Sequence, residues 1–186
     1  MRILSLAALL LPTLAFAAPQ KIDPLHSSVT FEAKHFLVAS IPGRFNEFSG
    51  SINLGEDFTQ SQVEFTVQVA SIDTSVDQRD AHLRTADFFD AANFPEATFR
   101  STEITREKEG YRMKGNLTIR GTTLEETFWV TTLGKAMDPM LKAERSFFRA
   151  EGAINRKKYG VNYGDNALVS DMITLIVNLE SLPQTK

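Results

Sequence analysis

Along residues 63–69 apolar and polar side chains alternate without a break: Val63, Phe65, Val67 and Val69 are separated by Glu64, Thr66 and Gln68. A period of two places each set on its own face of an extended chain, so the run predicts a strand with one buried face. The pattern recurs in Tyr111, Met113, Gly115, Leu117 and Ile119, closing on Arg120-Gly121 as a turn. It recurs again in Ile173, Leu175, Val177 and Leu179, where only Ile176 breaks it. Shorter runs fit at Val29, Phe31, Ala33 and His35, and at Phe48, Gly50, Ile52 and Leu54. Strands are also predicted around Phe99 and Ser101, around Phe128 and Val130, and from Phe148 through Ala150 and Gly152 to Ile154, bringing the count to eight.

One stretch reads as helix instead, from about Ser75 to Phe89, where Thr74 or Ser75 can cap the first amides and Asp77 sits near the positive end. Eight strands joined mostly by short turns form a sandwich or close their sheet, and closure removes the exposed edges that invite aggregation. The expected fold is all-β: an eight-stranded antiparallel barrel with one short flanking helix. The interior of such a barrel is either filled by side chains or just wide enough for one ligand. Ala33, Gly50, Gly115, Ala150 and Gly152 fall on inward faces. They leave apolar volume, or else they make room for Phe rings from opposite strands; the pattern alone does not choose.

The chain opens with Met1-Arg2, continues through an apolar stretch from Ile3 to Leu11, and reaches Ala15-Phe16-Ala17. A charged start, an apolar centre and a small-x-small exit are the parts of a cleaved signal peptide, expected over residues 1–17. The apolar run is short of the roughly 20 residues a membrane span needs. Residues 18–186 then form a single domain, expected in the periplasm. Cleavage removes one basic residue, Arg2, and no acid, so the net charge of −3 becomes −4, which argues against a nucleic-acid partner. With no cysteine in the chain there is no disulfide, thiolate metal site or lipid-modified cysteine, and fourteen phenylalanines supply much of the core. Nothing in the sequence sets the oligomeric state.

Several short motifs are recognisable together. Asp23-Pro24-Leu25-His26-Ser27, followed by Phe31 and His35, stands at the start, with Gly43-Arg44-Phe45 and Phe48-Ser49-Gly50 after it. The middle carries Ser71-Ile72-Asp73-Thr74, Arg79-Asp80-Ala81-His82-Leu83-Arg84, Asp87-Phe88-Phe89-Asp90, Phe94-Pro95 and Phe99-Arg100-Ser101. Gly115 to Gly121, Asn155-Arg156 and Tyr159-Gly160 complete the series. In this order, from about Asp23 to Leu179, the chain resembles the YceI family of periplasmic polyisoprenoid-binding proteins. Tyr159 stands where phenylalanine is expected more often, and Glu126 interrupts the alternation around Phe128.

The resemblance implies a lipocalin-like barrel holding an isoprenoid lipid or other long-chain amphiphile in an apolar tunnel, the isoprenoid being a polyisoprenoid or a quinone or its precursor. The inward positions would then line it: Val29, Phe31 and Ala33; Phe48, Gly50 and Ile52; Val63, Phe65 and Val67; Phe99; Met113, Gly115 and Leu117; Phe128; Phe148, Ala150 and Ile154; Leu175 and Val177. His35, Asp80, His82 and Arg156 are candidates for contact with a polar head group.

Chemistry of other kinds finds little to build on. His26, His35 and His82 include no close-spaced pair of the H-x-H or H-E-x-x-H type, and a zinc site needs three or four converging ligands. Ser27, Asp80 and His82 supply the types of a nucleophilic triad, but Asp80 and His82 are two apart on a helix and do not share a face. The expectation is a binding protein with no catalytic residue, metal or cofactor. The rival readings are an enzyme acting on a lipid at the barrel mouth and an adaptor with a filled barrel. Trp129 is expected to pack under the helix; the alternative is that it faces outward and offers transient contact to a membrane or a partner. Arg156-Lys157-Lys158 reads as a solvated turn.

Overall fold

The period-two runs become strands because each can bury its apolar set against the others. The computed structural model describes residues 19–182, so the signal segment expected over residues 1–17 lies outside them. In chain order the strands are β1 (Gln20–Lys21), β2 (Ser28–His35), β3 (Ala39–Phe45), β4 (Phe48–Asn53), β5 (Gln62–Gln68) and β6 (Ile72–Asp73). After helix α1 (Asp77–Leu83) come β7 (Glu96–Glu107), β8 (Gly110–Ile119), β9 (Thr122–Asp138), β10 (Ala143–Asn155) and β11 (Met172–Glu180). All join one antiparallel sheet in the order β1-β4-β5-β7-β8-β9-β10-β11-β2-β3-β6.

Each of the eight expected strands is present, and the sheet is a curled barrel. Following the ladders from β4 round to β3 returns to the same run of chain, since only Asn46 and Glu47 separate those two strands. The first half of this bent run pairs with β2 and the second half with β5. Two short strands fill the corners that the bend leaves. β6 pairs with Arg44 and Phe45. β1 pairs with Ser51 and Ile52 while Ile22 bridges to Ser181 beyond β11.

The three additional strands are β1, β3 and β6. The expected pattern missed β3 because Pro42 and Gly43 interrupt its alternation, and Pro42 survives there with its side chain exposed. The helix is shorter than the stretch from Ser75 to Phe89, and its N-cap is Val76 with no side-chain cap. Thr74 instead donates its backbone N–H and hydroxyl to the buried Asp80 carboxylate, at 2.9 and 2.5 Å. The helix thus ties the chain before it from within.

Arginines lock the segment around α1 over one end of the barrel. Arg84 donates to the carbonyls of Ala70 (2.7 Å) and Ile72 (2.8 Å). Arg120, from the β8–β9 turn, donates to those of Phe88, Gly160 and Ala86. The opposite end is closed by side chains: Ile22, Ile52 and Ile104 are buried there, with the ring of Phe58 packed against the same core cluster.

Candidate functional site

Between these ends lies a cavity of roughly 1350 Å3, its mouth included. Its wall follows the alternation strand by strand. β2 contributes Val29, Phe31 and Ala33; β5 contributes Val63, Phe65 and Val67, with Val69 just beyond; β7 contributes Phe99 with Ala97; β8 contributes Met113 and Leu117 with Ile119. β9 adds Phe128, β10 adds Ala150 and Ile154, and β11 adds Leu175 and Val177 with Ile173 and Leu179. Leu83, Phe88 and Phe89 from the α1 segment and Val161 and Val169 from the loop before β11 line it at the covered end. Only Thr98, Arg156 and Tyr159 among the wall residues carry polar side-chain groups.

Five expected wall positions lie outside the cavity. The Phe48 ring stacks on Phe65 instead, with centroids 5.6 Å apart. Phe148 and Ile52 belong to the packed end. Gly50 and Gly115 leave no free volume, because neighbouring rings already occupy it. A Cβ on Gly115 would stand 2.3 Å from Phe99 Cζ and 2.5 Å from the Arg100 carbonyl oxygen. One on Gly50 would stand 2.7 Å from Phe65 Cδ2, and one on Gly152 2.6 Å from Phe128 Cδ1. The glycines accommodate phenylalanines, and the hollow lies inside the layer those rings form.

Most of the wall residues that sequence reading passed over are of two kinds, Phe45 on the unexpected β3 and Thr98 on β7 standing apart. Ile119, Ile173 and Leu179 share the phase of neighbours already assigned inward, so the alternation marked them. Phe88, Phe89, Val161 and Val169 lie on connecting segments with no period to betray their facing.

The polar candidates are mostly occupied. Arg156 is buried, not part of a solvated turn, and each of its five N–H groups donates to a backbone carbonyl. Nε reaches Ser170, Nη1 reaches Val161 and Tyr163, and Nη2 reaches Gly164 and Val169, at 2.8–3.1 Å. Burial lowers its pKa, opposed by Asp171 at 3.7 Å. It shapes the loop over the cavity and has no donor left for a ligand. Asp80 is spent on Thr74.

His35 and His82 stand beside the wall at the α1 end. The His35 ring packs on Phe36, and its backbone bridges to Val169. His82 Nε2 lies 2.9 Å from Asp87 Oδ2, and its ring meets Phe88 and Tyr163 edge-on. The triad types do not converge, since Ser27 accepts from the Glu180 N–H at the far end of β11.

At that far end Asp23, His26 and Glu180 point at one another as metal ligands could. The place of a cation is already taken: Arg145 Nη1 is 2.7 Å from Asp23 and 2.8 Å from Glu180, and Arg145 also pairs with Asp138. Burial pushes the Asp23 carboxyl up, but hydrogen bonds from His26, Arg145 and the Leu25 N–H outweigh it and hold it at about 2.

The two sequence irregularities meet at the cavity wall. The fully buried Tyr159 hydroxyl donates to Glu126 Oε1 at 2.8 Å. Burial and the carboxylate both raise the phenol pKa, so it remains a donor. Trp129 points outward with its ring against Gly110 at the β7–β8 turn, and not beneath the helix.

Residues 20–181 match the YceI-like domain family. The chain is 35% identical over 184 residues to the protein YceI of Salmonella newport (strain SL254), covering 97% of this chain and 95% of that protein. The crystal structure of Burkholderia cenocepacia BcnA is similar at a TM-score of 0.78 and 25% identity, over 87% of this chain and 99% of that one. A polyisoprenoid binding domain from Saccharophagus degradans, implicated in plant cell wall breakdown, shares the fold at a TM-score of 0.64 and 15% identity, over 88% of this chain and 98% of that one.

Proposed function

Because the chain belongs to the YceI-like domain family, we propose that it is an exported, non-enzymatic carrier that takes the chain of an isoprenoid lipid into its barrel. The observation that carries this reading is the cavity, whose wall is apolar on its strands except at Thr98 and whose one buried arginine is fully committed to backbone carbonyls. Such a wall attracts hydrocarbon and gives a polar group nothing to bond. At roughly 25 cal/mol per Å2, burying about 80 Å2 per isoprene unit yields on the order of 2 kcal/mol. Several units exceed an association cost of roughly 4–15 kcal/mol.

A polar head then belongs at the α1 end, near His35 and His82, and outside the hydrocarbon wall. The polyisoprenoid binding domain from Saccharophagus degradans, which shares this fold, agrees with such a ligand. The apolar run before Ala17 supports export to the periplasm.

The test is native mass spectrometry of the protein purified from the periplasm, followed by organic extraction of the adduct. A co-purifying isoprenoid and a mature chain beginning near Ala18 are expected. An adduct-free protein that also takes up no added isoprenoid would sink the lipid reading, and intact Met1 recovered only from the cytoplasm would sink export.

A further inference from the structure

The cavity occupies one part of the barrel, and along β8, β9 and β10 its wall ends at matching positions. On β8 the wall includes Met113 but not Tyr111, the next inward residue; on β9 it includes Phe128 but not Val130; on β10 it includes Ala150 but not Phe148. At that level the Phe58 ring stacks on Phe148, with centroids 5.3 Å apart and planes at 21°, and meets Tyr111 edge-on at 4.9 Å. Phe58 comes from the short turn Phe58–Gln60, which Asp57 holds by accepting from the Thr59 N–H. Ile22, Ile52 and Ile104 are buried in the core cluster at this end.

We propose that the aromatic layer of Phe58, Tyr111 and Phe148 is a floor that sets the length of isoprenoid chain the cavity accepts. This rests on the reading of the cavity as an isoprenoid site. A chain that fills the cavity meets ring faces and edges at the bottom and gains no contact from further units, which must remain in water at the mouth. Selection by length follows, since the wall is almost wholly apolar and its Arg156 and Tyr159 are already bonded within the protein. Ala150 and Phe148 are successive inward residues of β10 on either side of the boundary, so exchanging size at these two positions moves the floor in opposite directions.

The experiment measures equilibrium affinity for all-trans isoprenoid alcohols from farnesol to solanesol, by competition against a dansylated geranyl probe. For the unaltered protein each added unit should tighten binding by about tenfold or more until the floor is reached, and by almost nothing afterwards. Ala150→Phe should move the break to a shorter alcohol, and Phe148→Ala to a longer one. Phe148→Leu, which removes less packing, should lengthen it less and guards against a Phe148→Ala protein that fails to fold. If the unaltered protein binds and shows a break, but the folded variants keep it at the same alcohol, the floor assignment is wrong while the isoprenoid reading stands. Affinity that climbs without a break also overturns the floor. If no alcohol binds at any length, the isoprenoid reading itself fails and the floor with it.

Discussion

Tyr159 and Glu126 each look anomalous alone, one an added hydroxyl and the other an acid in an apolar phase, yet the fold turns them into a bonded pair. Tyr159→Phe should therefore lower stability by about 1 kcal/mol in denaturant melts, the net worth of one such hydrogen bond. Adding Glu126→Ala should cost less in that background than in the parent protein, because the carboxylate has by then lost its partner. Equal costs in the two backgrounds would show the pair to be uncoupled. Gly115 is constrained more tightly. Even Gly115→Ala places a carbon against Phe99 and the Arg100 carbonyl, so it should destabilise by roughly 1–3 kcal/mol, as overpacking does. A neutral result would mean that Phe99 has room to withdraw into the cavity.

Among the elements, the β2–β3 hairpin departs furthest from local preference. Its turn, closed by the Val38 N–H donating to the His35 carbonyl, has Phe36 at φ 51° and Leu37 at φ 60°. Side chains with a Cβ pay roughly 1–2 kcal/mol per residue in this region, and tight hairpins favour Asn-Gly there. Both residues are also exposed, so little burial offsets the strain. Phe36→Asn with Leu37→Gly should raise stability by about 1 kcal/mol or more, read as a higher denaturation midpoint at unchanged slope. An unchanged or lower midpoint would mean that the apolar tip makes stabilising contacts in the folded protein. The element also bears on function, because the Phe36 N–H bonds to the Leu168 carbonyl in the loop that carries the wall residue Val169.

At the scale of the molecule, the closed end is held by one ionic knot. Arg145 on β10 joins Asp23 from the N-terminal segment, Asp138 at the end of β9 and Glu180 at the end of β11. Asp23 is buried, and its carboxyl is held at about 2 against an ordinary value of 3.8. A depressed carboxylate contributes stability above its unfolded pKa and loses it as pH falls through the folded one, here on the order of 2 kcal/mol between about pH 4 and 2. The pKa of exposed His26 is raised by its hydrogen bond to Asp23, so its smaller contribution has the opposite sign: present below pH 6.5 and lost as pH rises through the folded value. Melts across this range should show a shoulder of stability between about pH 4 and 6.5. Asp23→Asn should flatten the acid limb, and an acid limb unchanged in that variant would place the titration elsewhere.

The facing of β5, β8 and β11 was legible in the sequence, because alternation is a local property and a buried face admits only one phase. From it follow the apolar interior and most of the cavity wall. The chain's own pattern did not reveal β3, whose Pro42 and Gly43 hide a strand that its pairing with β2, and with β6 at its end, sustains. Nor did it decide whether the barrel was hollow. Small inward residues at Gly50, Gly115 and Gly152 are compatible with free volume or with room for phenylalanine rings, and in the fold rings from neighbouring strands cover them. The hollow that remains is what is left after side chains from every strand have packed, a sum over residues far apart in the chain. The Arg156 cradle and the pairing of Tyr159 with Glu126, 33 residues away, are likewise set by tertiary structure. Direction of facing is encoded residue by residue, while volume and partnership exist only once distant segments are brought together.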